Sequence, residues 1–128
     1  MIISPNTNVD IIMKTKTLKL VSMPGIATIT EAFAALKVGA DALKMFPAEG
    51  LSPSVLRAMR AVLPKNIPIL PVGGIGQHNM TEYVSAGAQG FGIGSSLYHP
   101  RKKTVEVARA AYQIIEAWEA CEPQALPC

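Results

Sequence analysis

The parts of this sequence best suited to chemistry are one lysine and two glycine loops. Lys44 lies in Ala42-Leu43-Lys44-Met45-Phe46-Pro47, a short apolar run closed by a proline that cannot continue a central strand. On a strand, Ala42, Lys44 and Phe46 share one face while Leu43 and Met45 point the other way. With both faces covered, as in a parallel sheet, the amine sits among apolar neighbours near the strand's C-terminal end. Desolvation favours the neutral amine, the form that attacks a carbonyl. The alternative is a lysine that snorkels from the strand end to water.

Gly73-Gly74 and Gly94-Ser95 follow two consecutive apolar segments. Glycines let the backbone approach an anion closely, with N–H groups directed at it. Ser95 adds a hydroxyl donor. In (β/α)₈ barrels the phosphate site commonly uses the loops after strands seven and eight. Tight strand-to-helix turns account for either pair alone; two pairs on adjacent strands favour phosphate. The two histidines, His78 and His99, have no carboxylate at useful spacing and read as surface or helix-start residues. Glu49, just after the lysine run, reads as a loop carboxylate within reach of the pocket.

Such groups need a scaffold that gathers strand ends. Met1-Ile2-Ile3-Ser4 reads as a strand stopped by Pro5-Asn6, and Asn8 as the cap of a helix ending near Thr17. Leu18 to Met23 reads as a second strand, halted by Pro24-Gly25. Thr28 and Glu31 form a capping box for a helix that carries Ala32, Phe33, Ala35 and Leu36, with Gly39 closing it in the left-handed conformation. After the lysine strand, Ser52 or Pro53 opens a helix with Val55, Leu56, Met59 and Leu63 inward and Arg57 and Arg60 toward solvent. Ile67 to Val72 is a fourth strand, Asn79 to Ser85 a short helix, Gly90 to Ile93 a fifth strand, and Lys103 to Ala120 a long helix. Strands alternating with helices imply parallel pairing and right-handed crossovers, an α/β fold. Ser4, Pro24-Gly25, Lys44-Phe46, Gly73-Gly74 and Gly94-Ser95 all fall at strand C-terminal ends, where ligands bind.

The 128 residues fit one domain, expected over 1–121, with a tail at 122–128 expected to fray. Hydrophobic residues are 49% and charged residues 16%, which excludes a disordered chain. No apolar run approaches the roughly 18 residues of a membrane span. The chain therefore reads as soluble and cytoplasmic, with no membrane partner. Its net charge of +3 lies largely in Lys14, Lys16, Lys19 and Arg101-Lys102-Lys103, without interleaved aromatics. Solvated helix ends and small anionic ligands suit that pattern better than nucleic acid. Cys121 and Cys128 lack metal-ligand spacing and read as free thiols.

Pro24-Gly25-Ile26-Ala27-Thr28, Thr30-Glu31-Ala32, Leu43-Lys44-Met45-Phe46-Pro47-Ala48, Val72-Gly73-Gly74-Ile75 and Gly94-Ser95 together resemble the 2-keto-3-deoxy-6-phospho-sugar-acid aldolases, class I aldolases of the Entner–Doudoroff type. The resemblance runs from Ser4-Pro5-Asn6 to the last helix. It implies a (β/α)₈ barrel, usually a homotrimer, acting on phosphorylated 2-keto-3-deoxy sugar acids without a metal or organic cofactor. By the same resemblance Lys44 is the Schiff-base lysine, Pro24 and Phe46 line the pyruvate pocket, and Gly73, Gly74, Gly94 and Ser95 hold the phosphate. Val72 stands where gluconate-type members have threonine, which tilts the substrate toward 2-dehydro-3-deoxy-6-phosphogalactonate.

A (β/α)₈ barrel typically takes about 250 residues, and this chain supplies five βα units. The expectation is a partial barrel with the first three units absent. The family's acid/base glutamate, carboxylate-binding arginine and threonine, carried on those units, have no counterpart here. Loss of a general acid/base costs about 10²–10⁴ in rate, so this chain alone is expected to be a poor catalyst. Three other readings stay open: a catalytically impaired fragment that keeps a phosphate pocket, an aldolase preferring the gluconate isomer, and another phosphate-binding barrel enzyme without a Schiff base.

Overall fold

A computed structural model describes residues 1–121. The expected fraying tail from Glu122, including Cys128, lies outside the described residues. The elements run β1 (Ile2–Ile3), α1 (Val9–Thr17), β2 (Ser22–Met23), β3 (Gly25–Ile26), α2 (Ile29–Lys37), β4 (Leu43–Met45), α3 (Pro53–Arg60), β5 (Ile69–Pro71), α4 (Met80–Ser85) and α5 (Thr104–Ala120). β1 pairs with β2, and β3, β4 and β5 pair in that order, every pair parallel. A parallel bridge from Val72 to Gly92 adds the next segment. The result is an α/β fold whose strands follow one another in sequence order, as in the wall of a barrel.

Local chemistry starts the helices where the sequence predicts. The Asn8 side chain accepts from the backbone N–H groups of Asp10 and Ile11. At α2, Glu31 N–H donates to Thr28 Oγ1 at 3.2 Å while Glu31 Oε2 accepts from Thr28 N–H at 2.8 Å. This reciprocal box satisfies donors that the first helical turn leaves free. Gly39 follows the helix at φ +94°, the left-handed side expected of it.

The second expected strand is shorter than its apolar run, and the fifth is reduced to one bridge. Leu18 caps α1 and Lys19 turns at φ 57°, so the second strand starts at Ser22 instead of Leu18. It ends at Met23, where Pro24 was expected to halt it. Proline loses only its donor, and the Pro24 carbonyl still accepts from Lys44 N–H at 2.9 Å, so the chain passes on into β3. The expected strand Gly90–Ile93 shrinks to the single bridge at Gly92. Gly92 N–H donates to Pro71 O, but Pro71 has no N–H to return on that side of β5.

The side of the sheet facing the helices is closed. Leu43, Met45 and Ile69 are wholly buried there with Leu56 of α3, each such side chain contributing roughly 1.5–3 kcal/mol by burial. Phe33 on α2 is 47% exposed. One residue reverses its expected position. Arg60, expected in solvent, folds back from α3 and donates to the carbonyls of Gly87 at 3.0 Å and Ile67 at 2.8 Å and to Gln89 Oε1. Burial pushes its pKa down, and three acceptors satisfy the desolvated guanidinium. Gly25 admits a close crossing: a Cβ there would collide with the Pro5 carbonyl. That crossing folds the Ser4–Asn6 loop over the sheet beside β4.

Among the described residues no helix is long and apolar enough to cross a membrane.

Candidate anion and amine site

Lys44 is the central residue of β4. Its register partners are Gly25 on β3 and Leu70 on β5, and paired residues of a parallel sheet face the same way. Lys44 therefore stands on the open face between a residue with no side chain and a leucine. Leu43 and Met45 point to the opposite, closed face, as the alternation predicts. The lysine face is only half-buried, less covered than a two-sided sheet would make it. The amine is not loose in solvent, however: Nζ lies 4.2 Å from the centroid of the Phe46 ring, within cation–π range.

After the cis Phe46–Pro47 bond the chain makes a 3-10 turn, Ala48–Gly50. Ala48 N–H donates to Val72 O at 2.8 Å, tying the turn to the end of β5. The Tyr83 hydroxyl of α4 donates to Ala48 O at 3.0 Å and Leu51 O at 3.1 Å. Burial pushes the Tyr83 pKa up, and the nearby carboxylates of Glu49 and Glu82 add to it. The backbone under Glu49 is thus fastened from both sides.

A cavity of about 490 Å³ opens next to this turn, bringing Phe46, Gly73, Gly74, Gly94 and Ser95 together. Gly73 and Gly74 have φ of +105° and +65°, a path that side chains rarely tolerate. Among the described residues, the N–H groups of Gly73, Gly74, Gly94 and Ser95 donate to no protein acceptor. Four free donors on two loops can hold an anion. The loops are braced as well. Asn79 accepts from Gly76 N–H and donates to Gly74 O, both at 3.0 Å, and Ser96 Oγ donates to Ile75 O at 2.9 Å.

Two of the expected site residues lie apart from that cavity. Lys44 does not line it and meets it through the Phe46 ring. Pro24 is fully buried between β2 and β3, and Gly25 is the residue beside the amine. Two residues given little weight in the sequence do line it, Glu49 and His78. His78 follows the Gly73-Gly74 pair within the same loop, and that proximity was the available signal. His99 receives a bond from Arg101 N–H outside the cavity. Among the described residues no three His, Cys, Asp or Glu side chains cluster as metal ligands.

Residues 1–114 match the family model described as KDPG and KHG aldolase. A probable 2-dehydro-3-deoxy-6-phosphogalactonate aldolase of Rhizobium meliloti (strain 1021) is 42% identical over 120 residues, covering 94% of this chain and 57% of that protein. The 2-dehydro-3-deoxy-6-phosphogalactonate aldolase of Escherichia coli (strain K12) is 36% identical over 118 residues, covering 92% and 58%. A solved structure titled native KDPGal superposes with a TM-score of 0.90 at 35% identity, covering 93% of this chain and 58% of that one. The chain thus spans under three fifths of the length of these curated relatives.

Proposed function

The chain belongs to the KDPG and KHG aldolase family, and we propose that it cleaves 2-dehydro-3-deoxy-6-phosphogalactonate to pyruvate and glyceraldehyde 3-phosphate through a Schiff base on Lys44. The observation that carries this reading is the double role of Phe46. Its ring holds the Lys44 amine at 4.2 Å and also walls the cavity between the glycine loops. A nucleophilic amine beside an anion cradle suits a substrate with a ketone near one end and a phosphate at the other.

In this reading Lys44 Nζ attacks the C2 ketone, and loss of water gives an iminium. A base takes the proton of the C4 hydroxyl, the C3–C4 bond breaks, and its electron pair moves to the iminium nitrogen. Glyceraldehyde 3-phosphate leaves, and the enamine that remains is protonated at C3 and hydrolysed to pyruvate and free lysine. Gly73, Gly74, Gly94 and Ser95 hold the phosphate through their N–H groups, with the Ser95 hydroxyl as a further donor. Phe46 borders the pyruvate end directly. Pro24 acts from behind, fixing Lys44 N–H through its carbonyl and leaving Gly25 beside the amine. The retro-aldol step requires a base, and Glu49 and His78 are the titratable side chains of the cavity wall.

Two observations support the galactonate isomer. Two of the three matched curated relatives, those covering more than nine tenths of this chain, are named for it, and the apolar Val72 stands in the cavity wall. Pyruvate release from the two C4-epimeric substrates tests the choice, with faster release from the galactonate epimer expected. Equal or faster release from the gluconate epimer overturns that assignment. Release that survives Lys44→Met overturns the Schiff base.

A further inference from the structure

We propose that Glu49 is a built-in competitor for the glycine cradle, and that a phosphorylated ligand enters only by displacing its carboxylate. The proposal rests on the phosphate reading of the cradle and adds a residue that sets its selectivity.

The geometry is direct. A Cβ built on Gly73 would collide with Glu49 Oε2, and one built on Gly74 would lie 2.7 Å from Glu49 Cγ. The carboxylate therefore rests against both glycines and lines the same cavity as the four free N–H groups. Among the described residues it accepts no hydrogen bond and forms no salt bridge there, and the residue is exposed. Among the described residues no hydrogen bond or ion pair ties the side chain down, whereas its backbone is held by Val72 and Tyr83. Rotation of the side chain alone can clear the cradle.

It also has somewhere to go. Glu49 lines a second cavity of about 520 Å³ on the other side of the glycine loop, bordered by Ser52 and Asn79 but also by Glu82. The hydroxyl and amide can solvate the displaced carboxylate, while Glu82 opposes it by like charge. Two anions cannot share the cradle at contact distance, so a ligand must bind it better than a tethered carboxylate does. A phosphate dianion, with more charge and more acceptor oxygens than a carboxylate, meets that condition. Unphosphorylated sugar acids do not.

The test is a titration with inorganic phosphate, read by NMR at the amides of Gly73, Gly74, Gly94 and Ser95. Glu49→Gln removes the charge at the cradle, and Glu116→Gln on α5 changes the net charge equally elsewhere. Glu49→Gln is expected to bind phosphate roughly fivefold to tenfold more tightly, the scale of removing one like charge at contact distance from a water-facing site. Glu116→Gln is expected to match the unaltered chain. If the four amides respond but Glu49→Gln gains nothing, or gains no more than Glu116→Gln, the competitor is overturned and the phosphate reading stands. If the four amides respond in none of the three proteins, both are overturned.

Discussion

The Lys44 amine lies 4.2 Å above the Phe46 ring, and that same ring forms a wall of the cavity that holds both glycine loops. Phe46 lies one residue past the end of β4 and two residues from Lys44, so the alternation of the extended chain sets their relationship. The amine and the anion cradle are therefore neighbours with separate supports. Lys44 depends on β3–β5 pairing, and the cradle on the Asn79 and Ser96 braces. Mutation can address them one at a time.

Gly74→Val is expected to weaken phosphorylated ligands at least about tenfold and to affect pyruvate far less. Gly74 sits at φ +65°, where a branched residue is strained, and its new Cβ would press on Glu49. Competition of inorganic phosphate against a phosphorylated ligand, beside pyruvate binding, checks this. Equal loss of both would mean that the change damaged the fold instead of the cradle.

Asp41→Asn is expected to cost stability at neutral pH and little in acid. Burial pushes the Asp41 pKa up, but bonds from Lys16 and from Ser22 N–H outweigh it and leave the carboxyl below its ordinary 3.8. A depressed folded pKa gives stability that is fully present above the unfolded value and is lost as pH falls through the folded one. The pair is more than a third exposed, so after solvent screening its worth is about 1 kcal/mol or less. Thermal midpoints of the two proteins should differ at pH 7 and converge below the ordinary 3.8 of the carboxyl. A gap that persists unchanged in acid would contradict the assignment.

Self-association is expected through the β1 edge. Among the described residues β1 pairs only with β2, and Ile3 is 53% exposed. Unpaired strand edges carrying apolar side chains recruit other chains, and an edge lysine suppresses this. Light scattering over a concentration series should show association that Ile3→Lys reduces. A monomer at every concentration, with or without the substitution, would contradict it.

Much of the scaffold is legible because its signals are local. Asn8, Thr28 and Glu31 satisfy donors within their own turns, and the Lys44 face follows from period two. The Gly73-Gly74 loop is legible because its positive φ angles demand glycine. What escapes the sequence depends on distant partners. Arg60 turns inward because Ile67, Gly87 and Gln89 present acceptors, and nothing within α3 announces them. Pro24 reads as a stop, yet a neighbouring strand needed only its carbonyl. Glu49 and His78 sit close in sequence to the lysine strand and to the Gly73-Gly74 pair, but that they line one cavity depends on how the separate loops fold around it.

The central claim, that Lys44 is the nucleophile, is tested most directly by trapping. The chain is treated with borohydride in the presence of pyruvate, and the modified residue is located by mass spectrometry. One reduced adduct is expected, at Lys44, and it is absent when pyruvate is left out. No adduct at Lys44, or adducts spread evenly over the exposed lysines, would contradict it.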